Sequence, residues 1–165
     1  SLTVCENIQV PMREHLRMPI ELMDELAALK IAMVGLPPNA GPKFPSELSG
    51  GMRKRAGLAR ALSVDPEIIF LDEPTAGLDP IGAAAFDRLI RELQSSLGLT
   101  VFMVTHDLDS LTAICDRVAV LVEKKIRVAT MAEHMDDPHP WIQEYFKGPR
   151  ARAALSAGSG QAEMV

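Results

Sequence analysis

Two adjacent carboxylates follow a short apolar run, a placement that could support hydrolytic chemistry. Residues 67–71 read E-I-I-F-L, which is typical of a strand buried on both faces, and Asp72 and Glu73 come directly after them. At a strand end, one carboxylate can orient Mg²⁺ through its waters while the other polarises an attacking water. We therefore predict that Asp72 is a metal ligand and Glu73 a general base. For D-E-P by itself, a polar strand end with a turn is the alternative.

A histidine follows a second apolar run in the same way. Residues 99–104 predict another buried strand, and Thr105, His106 and Asp107 come after it. In an open α/β sheet, ligands bind in the crevice at the carboxyl ends of the strands. We therefore expect His106, on the neighbouring strand, to sense or stabilise a phosphate that is being cleaved.

A Ser-Gly-Gly sequence stands directly before a predicted helix. Gly50 and Gly51 let a phosphate approach the backbone closely, and Ser49 adds a hydroxyl donor. The helix N-terminus supplies free N–H groups and a partial positive charge. These three residues are therefore candidates for phosphate binding. The alternative is a loop that ends in an ordinary serine cap.

Two other polar features have simpler interpretations. Asp79, within G-L-D-P, is most simply the cap of the next helix. The basic residues of one predicted helix are interpreted as a solvated face. These are Arg53, Lys54, Arg55 and Arg60.

Alternating strands and helices must position these residues. Strands are predicted at 67–71, 99–104, 117–122 and 126–130, and helices at 52–62, 80–97 and 108–115. Strand, helix and strand in alternation predict βαβ units and a parallel sheet covered by helices. The predicted fold class is therefore α/β.

Helical segments flank this core. A T-x-x-E capping box at Thr3 and Glu6 predicts a helix that runs to about Met18, and a second helix ends at Gly35. Residues 132–147 predict a helical tail that contains two prolines, and residues 156–165 predict disorder.

Composition excludes several classes of protein. The 165 residues carry 17 basic and 22 acidic side chains, a net charge of −5, so nucleic-acid binding through a broad positive field is not expected. The apolar stretches, such as 118–122, are far shorter than the ~20 residues of a membrane helix. Cys5 and Cys115 lack metal-site spacing, so we expect reduced core cysteines of a cytosolic protein.

The separate signals occur in one fixed order. They read L-S-G-G-M-R-K-R-A-G-L-A-R-A-L at 48–62, I-I-F-L-D-E-P-T at 68–75, A-G-L-D at 76–79 and V-T-H-D at 104–107. This order resembles the nucleotide-binding subunit of an ATP-binding cassette (ABC) transporter, over roughly residues 1–130. The four blocks look like its signature motif, its Walker B strand with the catalytic glutamate, its D-loop and its H-loop.

Finer features resemble one branch of this family, which serves lipid trafficking and toluene or solvent tolerance in Gram-negative envelopes. They are F-P-S-E-L at 44–48, Met52 where a glutamine is commoner, and H-P-W-I-Q-E-Y-F at 139–146. The resemblance implies a partial P-loop NTPase fold with a parallel sheet core. It divides the chain into a helical subdomain at 1–47, the C-terminal half of the ATPase core at 48–130, and a helical tail with a disordered end at 131–165.

The Walker A loop of the family, G-x-x-x-x-G-K-[ST], does not occur in the 165 residues. Residues 35–43 come closest, but their glycine spacing is one residue too long and Pro42 precedes the lysine. The resemblance therefore implies that the chain is the C-terminal part of such an ATPase. We expect it not to hydrolyse ATP by itself, and to associate through strand edges near 68–71 and 99–104.

The resemblance also implies site residues. ATP and Mg²⁺ are the implied cofactors, with Asp72 as the Mg²⁺ ligand, Glu73 as the base and His106 as the γ-phosphate contact. Two subunits of the family stack head to tail with ATP between them. Ser49, Gly50 and Gly51 would then face the opposite subunit's nucleotide.

Partners and location follow from the same resemblance. Asp79 would help to couple the two sites of a homodimer. The helical section, residues 1–47, would receive a coupling helix of a transmembrane permease. The protein would lie in the cytoplasm at the inner face of the inner membrane and touch the membrane only through the permease. The alternatives are a non-transport ABC ATPase of translation or DNA repair, or an inactive fragment that docks to partners.

Overall fold

The computed structural model describes residues 2–148 of the chain. It divides between Val104 and Thr105 into two compact units, which are described separately below. The sections 1–47, 48–130 and 131–165 follow the order of the motifs and stay a prediction. The predicted disordered end, 156–165, lies outside the described residues.

The first unit opens with helix α1, Val4–His15. Its predicted capping box is confirmed, because Thr3 Oγ1 accepts from the Glu6 amide at 3.2 Å and Glu6 Oε2 accepts from the Thr3 amide at 2.7 Å. The helix ends at His15 and not near Met18, because the backbone of the next residue, Leu16, is extended. Pro11 lies inside the helix, where it lacks the N–H that would complete one helical hydrogen bond.

Helices α2, Ile20–Met33, and α3, Gly50–Ala61, pack with α1 around an apolar centre. Gly35 follows α2 in the left-handed region with φ +69°, which agrees with its predicted role at the helix end. Two short 3₁₀ turns, Pro38–Ala40 and Pro45–Glu47, connect α2 to α3. The fully buried side chains of this centre include Ile8, Met12 and Leu62.

Strands β1, Ile68–Asp72, and β2, Thr100–Val104, form a two-stranded parallel sheet. Helix α4, Pro80–Leu97, lies between them in sequence, so the three elements form the predicted βαβ unit. The register places Phe70 opposite Phe102, and Asp72 opposite Val104. The predicted α/β class with a parallel sheet is confirmed.

One face of this sheet is exposed within residues 2–148. Phe70 is 74% exposed, whereas Ile69, on the opposite face, is 4% exposed. The prediction that both faces of the first strand are buried is wrong for the described residues, because only the face that carries Ile69 is covered. On the exposed face, Phe70 and Phe102 lie with ring centroids 5.6 Å apart.

The second unit contains helix α5, Leu108–Ile114, and an antiparallel hairpin of β3, Val118–Val122, and β4, Lys125–Ala129. In the described part of the chain β3 pairs only with β4, so its predicted place in the parallel sheet is wrong. The antiparallel pairing of β3 with β4 has a local cause, since Glu123 and Lys124 have positive φ values of 50° and 62°. Two left-handed residues form the tight turn that favours an antiparallel hairpin.

The tail of the second unit forms two helices, α6, Met131–Asp136, and α7, Pro140–Lys147. The predicted single helical tail is corrected, because Pro138 lies between the helices and Pro140 occupies a first-turn position, where proline is tolerated. Both helices lie near the buried cluster of this unit. The cluster consists of Leu111, Val118, Val120, Val122, Ile142 and Phe146.

Candidate functional site

The N-terminus of α3 carries the Ser-Gly-Gly sequence. Ser49 is the N-cap, and its Oγ accepts a hydrogen bond from the Met52 amide at 3.3 Å. Gly50 and Gly51 are the first two residues of the helix and do not precede it, which corrects the predicted boundary. The serine-cap alternative is therefore confirmed. It leaves the role in phosphate binding open, since first-turn N–H groups have no carbonyl partner within their own helix.

Neither glycine is required by its surroundings. A methyl group added at Gly50 would meet no atom within 4 Å, and one added at Gly51 would lie in ordinary contact, 3.8 Å from Leu78 Cδ2. Neither residue has a positive φ. Glycine at these two positions therefore serves no internal packing need.

The segment before α4 lies beside this helix start, because Leu78 is the side chain that approaches Gly51. Asp79 is the N-cap of α4, and its Oδ1 accepts from the Gly82 amide at 2.9 Å. The predicted capping role of Asp79 is confirmed. The structure thus brings together Gly51 and the loop that ends at Asp79.

Asp72 and Glu73 lie at the carboxyl end of β1, as predicted. Asp72 is the last strand residue and is exposed, while Glu73 is half-buried. Glu73 has a left-handed backbone with φ +45°, which is sparsely populated by residues other than glycine. Its amide donates to Val104 O at 2.8 Å, so the hydrogen bonds with β2 continue one residue beyond the strand.

The basic residues of α3 make three separate contacts with backbone carbonyls. Arg53 donates to Leu48 O at 2.8 Å, Lys54 donates to Glu73 O at 2.7 Å, and Arg55 donates to Val34 O at 2.6 Å. The predicted solvated face is therefore wrong for Lys54 and Arg55, both of which are half-buried. Successive helical residues point about 100° apart, so neighbouring cations reach different parts of the unit.

Lys54 is the site contact that sequence reasoning missed. Lys54 and Glu73, which this contact joins, are 19 positions apart in the sequence. No local pattern signals a lysine that reaches a distant backbone carbonyl.

Asp72 is the carboxylate of this site that was predicted to bind a metal ion. No group of three or more metal-ligating side chains occurs within residues 2–148. Mg²⁺ does not need one, because it keeps several waters and is commonly held by one or two carboxylates together with substrate phosphates. The exposed Asp72 fits that requirement. It lines a cavity of about 540 Å³ together with Lys54, Arg60 and Phe70.

His106 belongs to the second unit, at an exposed position two residues before α5. Its backbone carbonyl accepts a hydrogen bond of 3.4 Å from the Tyr145 hydroxyl on α7. His106 is thus held near the tail helix of its own unit.

Residues 35–43 connect α2 to α3 and include one 3₁₀ turn. A phosphate loop joins a strand to a helix, so this segment does not have that architecture. Among the helices of the part described, none is long and apolar enough to cross a membrane.

Comparisons with known proteins agree with this fold and motif order. The profile of the ABC transporter family matches residues 2–76. The chain is 38% identical to the intermembrane phospholipid transport system ATP-binding protein MlaF of Escherichia coli K12, over 89% of this chain and 55% of MlaF. It is 36% identical to the "Probable ribonucleotide transport ATP-binding protein mkl" of Mycobacterium tuberculosis H37Rv, over 91% of this chain and 42% of mkl.

Among solved structures, the dimeric bacterial ABC transporter cassette MJ0796 matches with a TM-score of 0.69 and 31% identity, covering 78% of this chain and 56% of that one. MJ0796 has also been solved in a post-hydrolysis state bound to ADP and Pi, which matches with a TM-score of 0.68 and 30% identity over the same shares. The fold is therefore that of part of an ABC ATPase cassette. The chain belongs to the ATP-binding domains of the ABC transporter family, and it spans about half the length of the curated relatives it matches.

Proposed function

We propose that this chain is part of the ATP-binding, ATP-hydrolysing subunit of a transporter for phospholipids or other hydrophobic compounds. The observation that carries the proposal is the start of α3, where Ser49 caps a helix whose first two residues are glycines without a packing role. Small residues with free amides are what a close-lying phosphate requires. This start lies beside the loop that ends at Asp79.

In this proposal, the start of α3 binds the phosphates of an ATP held by a second copy of the subunit. Ser49 donates its hydroxyl, and the amides of the first turn donate to phosphate oxygens. Asp79, at the neighbouring loop, helps to couple the two nucleotide sites. The dimeric state of the related cassette MJ0796 supports this arrangement.

Hydrolysis is assigned to the strand ends. Glu73 accepts a proton from the attacking water, His106 donates a hydrogen bond to the γ-phosphate, and Asp72 holds Mg²⁺ as one oxygen ligand. The metal ion, when bound, supplies charge neutralisation for the phosphate oxygens. Positioning of water and phosphate is the main contribution to phosphoryl transfer, and these residues of the chain supply part of it.

Substrate class and partners rest on the relatives. MlaF is named as an ATP-binding protein of an intermembrane phospholipid transport system. By that likeness, the subunit pairs with a second copy and with a transmembrane permease, at the cytoplasmic face of the inner membrane. The helical section, residues 1–47, provides the permease contact.

A second candidate is a docking fragment without catalysis. The absence of G-x-x-x-x-G-K-[ST] from the 165 residues favours it for the chain by itself. Both candidates predict an inactive isolated chain, so they must be separated in a complete cassette.

The test is a chimera in which the part of E. coli MlaF outside its match with this chain is joined to the 165 residues. We expect Mg²⁺-dependent phosphate release from the chimera and none above background from the chain by itself. Glu73→Gln should reduce the release to background, whereas Glu92→Gln, an exposed carboxylate on α4, should not. A folded chimera that binds ATP but does not hydrolyse it would contradict catalysis by these residues.

Two further measurements complete this test. If the chimera does not fold, the 165 residues can be co-expressed with the same part of MlaF as a separate chain. For the substrate class, the chimera replaces MlaF in its transport system. Phospholipid transport between membranes should then depend on Glu73. An assembly that hydrolyses ATP but transports no phospholipid would contradict the phospholipid assignment.

A further inference from the structure

We infer that Lys54 is a positioning residue for Glu73, acting through the backbone of that glutamate and not on the phosphate. The inference rests on the proposed role of Glu73 as general base. Lys54 lies on α3, five residues after Ser49, and its ammonium reaches across to the loop that follows β1.

The backbone of Glu73 is held on both sides. Its amide donates to Val104 O at 2.8 Å, and its carbonyl accepts from Lys54 Nζ at 2.7 Å and from the Ala76 amide at 3.2 Å. The contact with Val104 anchors Glu73 to β2, and the contact with Ala76 closes a turn within the loop. The Lys54 contact ties the loop to α3, the helix that Ser49 caps.

Glu73 needs this support because its backbone is left-handed, with φ +45°. Residues other than glycine persist in such conformations only where the surroundings over-determine them, and these conformations cluster at functional sites. The backbone conformation fixes the direction in which the side chain leaves the strand end. A hydrogen bond from a charged, half-buried donor such as Lys54 is among the stronger contacts available to a carbonyl.

The neighbouring cations provide the contrast. Arg55 also donates to a backbone carbonyl, that of Val34 at 2.6 Å, but this carbonyl follows α2 and lies outside the site. Arg55 and Lys54 are both half-buried on the same helix. Arg55→Met and Lys54→Met each remove one cation and one carbonyl contact from α3, but only Lys54→Met removes a contact with the Glu73 carbonyl.

The first test measures hydrogen exchange of the Glu73 amide in the 165-residue chain, relative to the amides of β1. We expect Lys54→Met to accelerate this exchange at least tenfold and Lys54→Arg to restore it, because arginine also donates to a carbonyl. Arg55→Met should leave the ratio of the Glu73 exchange rate to the β1 exchange rates unchanged. An unchanged ratio in Lys54→Met would overturn the inference, whatever the activity of the protein.

The second test uses the ATPase-active chimera described above. Lys54→Met should lower kcat by about 10- to 100-fold with little change in KM for ATP, since misplacement of a catalytic group by ~1 Å has an effect of that size. Lys54→Arg should recover most of the rate. In single-turnover measurements on the Glu73→Gln background, Lys54→Met should cause no further loss, because both changes act on one group.

The two tests separate a failure of the proposed function from a failure of the inference about Lys54. If the chimera folds and binds ATP but does not hydrolyse it, the proposed function is contradicted, while the exchange ratio still decides whether Lys54 holds the Glu73 backbone. If activity depends on Glu73 but Lys54→Met leaves kcat unchanged, the inference is overturned. A loss in Lys54→Met that persists in full on the Glu73→Gln background would also overturn it, because the effect would then be on folding.

Discussion

The buried ammonium of Lys30 on α2 pairs with the exposed carboxylate of Asp65, which lies between α3 and β1. The Lys30 side chain is 5% exposed and that of Asp65 is 79% exposed. Asp65 also has a left-handed backbone, with φ +49°. The pair therefore ties the helical section to the turn that leads into the site strand.

Loss of the Asp65 charge should destabilise the protein more than replacement of Lys30 by methionine. We expect Asp65→Asn to lower the free energy of unfolding by about 1–2 kcal/mol, because it leaves a buried ammonium without its counter-charge; solvent near Asp65 keeps the loss below that of a fully buried pair. Asparagine tolerates the left-handed backbone, so no strain is added. Lys30→Met should cost less, since methionine fills the same apolar space.

Urea denaturation followed by circular dichroism measures both variants. On the Lys30→Met background, Asp65→Asn should cost nothing further. An equal loss on both backgrounds would show that the ion pair does not account for the effect.

The acid sensitivity of the second unit should depend on Asp137. The His139 amide donates to Asp137 Oδ1 at 2.8 Å and the Arg127 guanidinium donates to both carboxylate oxygens; these contacts lower the pKa of Asp137 below its usual value. A lowered pKa contributes stability above the unfolded-state pKa of about 4, and this stability is lost as the pH falls through the folded-state value.

We therefore expect Asp137→Asn to destabilise the second unit at pH 7 and to have a progressively smaller effect below pH 4. The sole tryptophan, Trp141 on α7, provides the fluorescence signal. Asp136→Asn, at the neighbouring exposed position, is the control and should not change the pH profile. A constant effect of Asp137→Asn down to pH 2 would contradict the linkage.

The exposed sheet face should drive association of the chain. Phe70 and Phe102 present a contiguous apolar surface beside strand edges that are unpaired within the described residues. Such surfaces and edges recruit other chains. Sedimentation over a wide concentration range should therefore show oligomers that Phe70→Thr weakens. Ile81→Thr, which alters an 82% exposed residue on α4, should have little effect. A monomer at all concentrations would contradict this prediction.

Two glycines should respond to alanine in opposite directions. Gly57 lies inside α3 with open space around it, so Gly57→Ala should stabilise the first unit by about 0.5–1 kcal/mol. Gly98 ends α4 with φ +68°, so Gly98→Ala should destabilise it by about 1 kcal/mol or more. The midpoints of urea denaturation, compared at equal slope, measure the change in stability of both variants. If both variants were stabilised or both destabilised, the backbone argument would be contradicted.

Local signals in the sequence predicted much of this structure. The pair Thr3 and Glu6, the serine before α3 and the glycine after α2 each act within a few residues, so their effects are visible in the sequence. The order of apolar runs likewise predicted the parallel βαβ unit. The four ordered blocks predicted the family, because their order is far more specific than any one of them.

The remaining features depend on contacts that the sequence does not display. An apolar run such as residues 68–71 cannot tell whether one or both faces of the strand are covered. The reach of Lys54 to Glu73 spans two elements, and the left-handed backbone of Glu73 is imposed by that environment, not by a local preference. Pro138 interrupts the tail because the residue before a proline is biased away from the helical conformation.

The measurement that tests the central claim most directly is nucleotide retention by the chimera with Glu73→Gln. The amide preserves the shape of the side chain but removes its basicity, so we expect ATP to bind, persist unhydrolysed and hold two subunits together during gel filtration. Adding Ser49→Arg should abolish this dimer, because the arginine side chain fills the phosphate position at the start of α3. Wild-type turnover in Glu73→Gln, or an ATP-held dimer that survives Ser49→Arg, would contradict the assignment of these residues.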